Sequence, residues 1–80
     1  TVLLKGVSNF EEKKYPEAKQ SFDEVIDDKD NLYIDQAQWY LALCYLNTNE
    51  KEKAKQIFNV IGKEGGIYQK EAKKIIRGLK

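Results

Sequence analysis

Catalysis and metal binding need particular side chains, and this chain offers few of them. Its 80 residues include no histidine and a single cysteine, which removes the usual general base and the commonest neutral metal ligand together. Cys44 has no imidazole to deprotonate it. At helical spacing it shares a face with Ile34, Ala37, Leu41 and Tyr45, the setting of a buried structural thiol rather than a nucleophile. One cysteine also forms no internal disulfide, so the fold does not depend on oxidation. The acidic stretch Asp23-Glu24, Asp27-Asp28 and Asp30 supplies the oxygen ligands that hard cations prefer. Its spacing does not build a calcium loop. With Asp28 in the first loop position, Tyr33 falls where the sharp turn needs glycine and Trp39 where the bidentate glutamate belongs. The stretch reads as a solvated helix end and turn. No glycine-rich phosphate loop, serine elbow or paired-cysteine zinc pattern occurs. The expectation is a protein that is not an enzyme and takes neither cofactor nor metal.

Recognition is the chemistry that remains, and charge narrows it. Fourteen basic and 13 acidic side chains leave a net charge of +1, without the global positive field that holds phosphate backbones, so nucleic acid is disfavoured. The balance is uneven: residues 1–62 carry eight basic and eleven acidic groups, residues 63–80 six basic and two acidic. The C-terminal segment is the positive end. No run of about 18 apolar residues is present to span a bilayer. There is no methionine, even at position 1, which points to an excerpt of a longer polypeptide or a processed product.

The elements that position these groups are written twice. Ala18-Lys19-Gln20-Ser21-Phe22 recurs as Ala54-Lys55-Gln56-Ile57-Phe58, and the same offset of 36 pairs Gly6 with Ala42, Val7 with Leu43, Phe10 with Leu46 and Val25 with Ile61. Ala18, Phe22, Val25 and Ile26 keep the three- and four-residue steps of one helix face, as do Ala54, Ile57, Phe58 and Ile61. Pro16 suits a first helical turn, and Asn49 followed by Glu52 reads as a capping box. Gly62 and the pair Gly65-Gly66 read as stops. The pattern predicts five helices near residues 2–13, 16–28, 32–47, 50–61 and 67–79, with no strand. Short connections make neighbours antiparallel, so the hairpins should stack as an α-solenoid.

The predicted third helix is apolar on two sides. Ile34, Ala37, Leu41, Cys44 and Tyr45 form one stripe, and Trp39, Leu43 and Leu46 form another about half a turn away. Shifted back by 36, the second stripe becomes Leu3, Val7 and Phe10. The two units therefore present matching apolar rows.

The twelve-residue spacings from Gly6 to Ala18 and from Ala42 to Ala54, with Tyr45, Tyr15, Glu17-Ala18 and Phe22, resemble the tetratricopeptide repeat family over nearly the whole chain. The resemblance implies a right-handed solenoid in one domain: repeat one near 2–28, repeat two near 32–61 and a capping helix near 67–79. Gly6, Ala42, Ala18 and Ala54 would let paired helices approach, and Phe22 and Phe58 would fill the space between them. The offset of 36 exceeds the family period of about 34, a difference assigned to a longer turn through Asp27-Asp28-Lys29-Asp30-Asn31. Lys5 and Asn9 depart from the family pattern, which Leu41 and Tyr45 keep.

In this family the first helices of successive repeats line a concave surface. The resemblance thus implies a protein or peptide partner lying against Leu3, Val7, Phe10, Trp39, Leu43 and Leu46. Read as a third first-helix at an offset of 34, the last helix places Lys73 where Trp39 stands and Arg77 where Leu43 stands, two cations at the groove end suited to an acidic segment or a carboxylate. The family's carboxylate clamp for chaperone tails needs Lys and Asn where this chain has Leu3 and Val7, so that role is disfavoured. The alternative expectation is self-association, with the same rows joining copies of the chain or further repeats. Compartment is not encoded. The resemblance extends to the soluble ends of many bacterial proteins, some of them membrane-anchored.

Overall fold

A computed structural model describes residues 2–28, 33–64 and 66–79. These form five helices and no strand: α1 (Val2–Glu11), α2 (Tyr15–Asp27), α3 (Ile34–Asn47), α4 (Lys51–Glu64) and α5 (Gln69–Gly78). Each helix packs on its neighbours in sequence, and α1 also touches α3. Successive hairpins laid side by side make a slab of 32 × 28 × 16 Å, the shape of a short helical solenoid.

The two hairpins turn in the same way. In the first, the Lys14 N–H donates to the Asn9 carbonyl at 2.8 Å and the Lys13 N–H to the Phe10 carbonyl at 3.0 Å. In the second, the Glu50 N–H donates to the Tyr45 carbonyl at 2.8 Å and the Asn49 N–H to the Leu46 carbonyl at 3.4 Å. Both are Schellman closures through a left-handed residue, Lys13 at φ 64° and Asn49 at φ 62°. Asn49 is therefore the residue that ends α3 and not the cap that starts α4. That place belongs to Glu50, whose carbonyl accepts the Ala54 N–H at 3.1 Å, as the Lys14 carbonyl accepts that of Ala18 at 3.0 Å. The left-handed Lys13 also explains why α1 stops at Glu11, two residues before the predicted end. Pro16 lies in the first turn of α2, as its missing N–H allows.

Gly62 does not stop a helix. The chain continues to Glu64, and Gly62 is buried beneath the stem of Lys73 from α5. Gly66, at φ +101°, makes the break instead. Gly65, Asp30 and most of the turn assigned to the longer period lie outside the described residues.

Two apolar clusters form the core. One gathers Ala18, Phe22, Val25, Ala37, Leu41 and Cys44, the other Ala42, Ala54, Phe58, Ile61 and Ala72; Tyr45 and Ile57 pack on both and join them. Phe22 and Phe58 are wholly buried and stabilise the array by roughly 2–3 kcal/mol each. Small residues let the helices close on them: a Cβ on Gly6 would lie 2.7 Å from Phe22 Cε1.

A polar staple reinforces the joint between hairpins. Lys19 Nζ of α2 donates to Glu50 Oε2 at 2.8 Å, Thr48 donates to the same oxygen at 2.6 Å, and Lys53 Nζ approaches Glu50 Oε1 at 3.3 Å. The Tyr45 ring has a lysine ammonium over it on each count, Lys19 at 5.1 Å and Lys53 at 5.6 Å from its centroid. The Lys19 hydrogen bond, helped by those from Thr48 and Lys53, holds the Glu50 carboxyl down to about 2.

Candidate functional site

Six apolar residues expected to face a partner lie on α1 and α3, which touch each other, and all six are half-buried. Leu3, Val7 and Phe10 pack against the first cluster, and Trp39, Leu43 and Leu46 against the second. They are neither enclosed core nor an open shelf: each row leans on its own hairpin and keeps part of its surface in solvent.

Aromatic stacking ties the rows into the fold. Phe10 meets Tyr15 edge-on at 5.9 Å and Tyr40 edge-on at 5.6 Å, while Tyr40 stacks on the buried Phe22 at 5.6 Å. Trp39 meets Phe58 edge-on at 5.6 Å and stacks almost flat on Tyr68 at 4.9 Å. One face of the indole is therefore covered by the N-cap residue that precedes α5. Partial burial pushes the Tyr68 phenol up, and the nearby Tyr40 and Glu71 push it the same way.

Tyr40 and Tyr68 are the members of this surface that the helical wheel passed over. Tyr40 stands three residues before Leu43, so the same periodicity contains it, but it falls between the two stripes. Tyr68 follows Gly66-Ile67 in a turn, where periodicity carries no signal.

The relation of α5 to α3 differs by one residue from the expected offset of 34. Tyr33 and Tyr68 precede the two helices as N-caps, each with its carbonyl accepting from a wholly buried alanine, Ala37 or Ala72, at 2.9 Å. That equivalence is 35 residues long, which puts Lys74 in the place of Trp39 and Gly78 in that of Leu43. Lys73 instead lays its stem beside Gly62 of α4, its Cγ 3.5 Å from where a Cβ there would stand. Lys73 and Arg77 are exposed, and with Lys70, Lys74 and Glu71 they line a shallow cleft of about 310 Å³ on α5. Four cations thus share one cleft on the last helix.

Cys44 is wholly buried, and burial pushes its thiol up to about 11 against the opposing effect of Lys19. It stays protonated at neutral pH, without the thiolate that nucleophilic chemistry requires. Among the described residues no three metal-binding side chains come together, and no helix is long and apolar enough to cross a membrane.

The family model for the tetratricopeptide repeat matches residues 36–64, the span of α3 and α4. No curated protein and no solved structure matches the chain. Repeats of this family serve generally in protein–protein interaction and are typically non-enzymatic. Residues 36–64 thus match a tetratricopeptide repeat, and with α1 and α2 repeating its turn and packing before it and α5 following it, the five helices form a tetratricopeptide-like array.

Proposed function

We propose that this array is a protein-binding module whose partner segment lies across α1 and α3, against Leu3, Val7, Phe10, Trp39, Leu43 and Leu46, with Lys73 and Arg77 drawing acidic residues toward α5. The observation that carries the reading is the half-burial of all six apolar side chains on adjoining helices. Packing on their own hairpins holds them in place before a partner arrives, which lowers the entropy lost on binding. Tyr40 and Tyr68 extend the surface with rings that are already stacked, the rigid kind of side chain that anchors interfaces. The basic cleft of Lys70, Lys73, Lys74 and Arg77 adds attraction and orientation more than affinity.

Selection from a displayed peptide library tests this. The intact chain should enrich sequences that pair apolar anchors with acidic residues at one end, and Val7→Lys or Leu43→Lys should release them while the far-ultraviolet circular dichroism stays helical. Retention of the same peptides by both variants would sink the proposed surface. Sedimentation at several concentrations separates the self-association alternative: a dimer that Leu43→Lys dissociates would assign these rows to a second copy.

A further inference from the structure

Charge is divided unequally along this chain. Residues 1–62 carry eleven acidic and eight basic side chains, a net of −3, while residues 63–80 carry two acidic and six basic, a net of +4. Helix α5 concentrates the positive share. Lys70, Lys73, Lys74 and Arg77 follow steps of three and four residues, so they fall within about 100° of one another around the helix and extend over about 10 Å along it. Ala72, Ile75, Ile76 and Leu79 occupy the opposite arc and pack into the second cluster. All four cations are exposed, and among the described residues none of them is in an ion pair. Glu71, the acid that shares their cleft, stands about 60° round the helix from Lys74.

Two further features bear on what such a row fits. The cleft is lined by α5 residues alone, so no second wall encloses a small anion or gives a peptide a groove to lie in. Just before the helix, after the turn at Gly66, Ile67 is 71% exposed, the most exposed large apolar side chain among the described residues. Helix α5 is also fixed in place. Its apolar arc packs on α4, the Gln69 side-chain amide donates to the Gly62 carbonyl at 2.9 Å, and the Lys73 stem lies beside Gly62.

We propose that the exposed face of α5 docks on an anionic phospholipid surface, with Lys70, Lys73, Lys74 and Arg77 against the phosphates and Ile67 entering the boundary between headgroups and acyl chains. A sheet of phosphates meets all four cations at once, and each cation near such a surface strengthens attachment about fivefold. Residues 1–62 carry the opposite net charge, so the field turns the α5 end toward the membrane. Because the apolar arc of α5 is committed to α4, the contact stays at headgroup depth and is reversible. This goes beyond the peptide-binding reading: attachment needs Ile67 and the cations of α5, and takes nothing from the apolar rows of α1 and α3.

Co-sedimentation of the intact chain with vesicles tests it. Binding should appear with phosphatidylcholine vesicles containing phosphatidylglycerol, be absent with phosphatidylcholine alone, and disappear at about 1 M salt, where screening leaves charges a reach of about 3 Å. Lys70→Gln, Lys74→Gln and Arg77→Gln together should weaken it about a hundredfold. Removing as many exposed cations elsewhere, by Lys5→Gln, Lys14→Gln and Lys51→Gln, should change it far less. Ile67→Ser should weaken binding severalfold and leave its salt dependence unchanged. Circular dichroism checks that each variant is folded. Equal losses from the two Gln sets, undiminished binding by the α5 set, or equal binding to neutral vesicles would overturn the proposal. So would tighter binding at the same salt to polyglutamate or to duplex DNA, which would give the row to an acidic peptide or a nucleic acid.

Discussion

Gly6→Ala sets two opposite effects against each other at one atom, and the structure decides the sign. In the interior of α1, alanine is favoured over glycine by about 0.8–1 kcal/mol because it loses less backbone entropy. The new Cβ, however, would lie 2.7 Å from Phe22 Cε1, 3.0 Å from Cδ1 and 3.1 Å from Cζ. The ring has no exposed surface and is stacked on Tyr40 at 5.6 Å, so it has nowhere to retreat. Either α1 backs away or the Phe22–Tyr40 stack is displaced, and overpacking of this kind costs about 1–3 kcal/mol. The net expectation is a loss of about 1 kcal/mol, which lowers the melting temperature by roughly 4–8 °C in a domain of this size. Thermal denaturation followed by circular dichroism measures it, with Gly78→Ala as the companion variant. A Cβ there meets nothing within 4 Å, so only the helical gain remains and the melting temperature should rise slightly. A rise for Gly6→Ala as well would refute the close approach of α1 to Phe22, and with it the register of the first repeat.

Phe22→Ala should cost roughly 3–5 kcal/mol, a large part of the ~4–12 kcal/mol available to a chain of this length, and urea titration should show the midpoint collapsing; a near-neutral result would contradict the burial of the ring. Glu50 makes its contribution as a carboxylate: its folded value of about 2 lies below the ordinary 4.5, so the stabilisation is complete above about 4.5 and drains away as pH falls toward 2. Glu50→Gln should flatten the acid limb of the stability profile in that window, and an unchanged slope would remove the Lys19 staple from the account. Cys44, held up at about 11 by burial, should react with a thiol reagent at neutral pH only as fast as the array opens, and should become fast in denaturant; immediate labelling of the folded chain would place the thiol at the surface instead.

The helices and their pairing were legible because they rest on local rules. Steps of three and four residues marked the buried faces, and the 36-residue echo from Gly6 to Ala42 and from Phe22 to Phe58 marked two copies of one unit. Where local signals misled, a neighbouring helix had changed their meaning. Gly62 looked like a stop and proved to be the groove over which Lys73 crosses, since a missing Cβ serves either purpose and only the position of α5 distinguishes them. Asn49 looked like a start and proved to be a left-handed end, matched by Lys13, a residue no turn rule singles out. On the candidate surface, the apolar rows of α1 and α3 followed from periodicity, but the stacking of Trp39 on Tyr68 and of Tyr40 on Phe22 joins residues 18 to 29 positions apart, beyond the reach of any local pattern.

The doubled helical unit was enough to determine that this chain is a helical repeat array, and the sequence shows no histidine and a single cysteine. Composition and short-range spacing carry that information directly. Tertiary structure alone decided that Trp39 has one covered face and that the cations share a cleft on α5. Each of these depends on where one helix lies against another to within a few ångströms. A shift of one residue in an offset turns a side chain by about 100° around its helix, enough to move Lys73 from a groove to the crossing over Gly62.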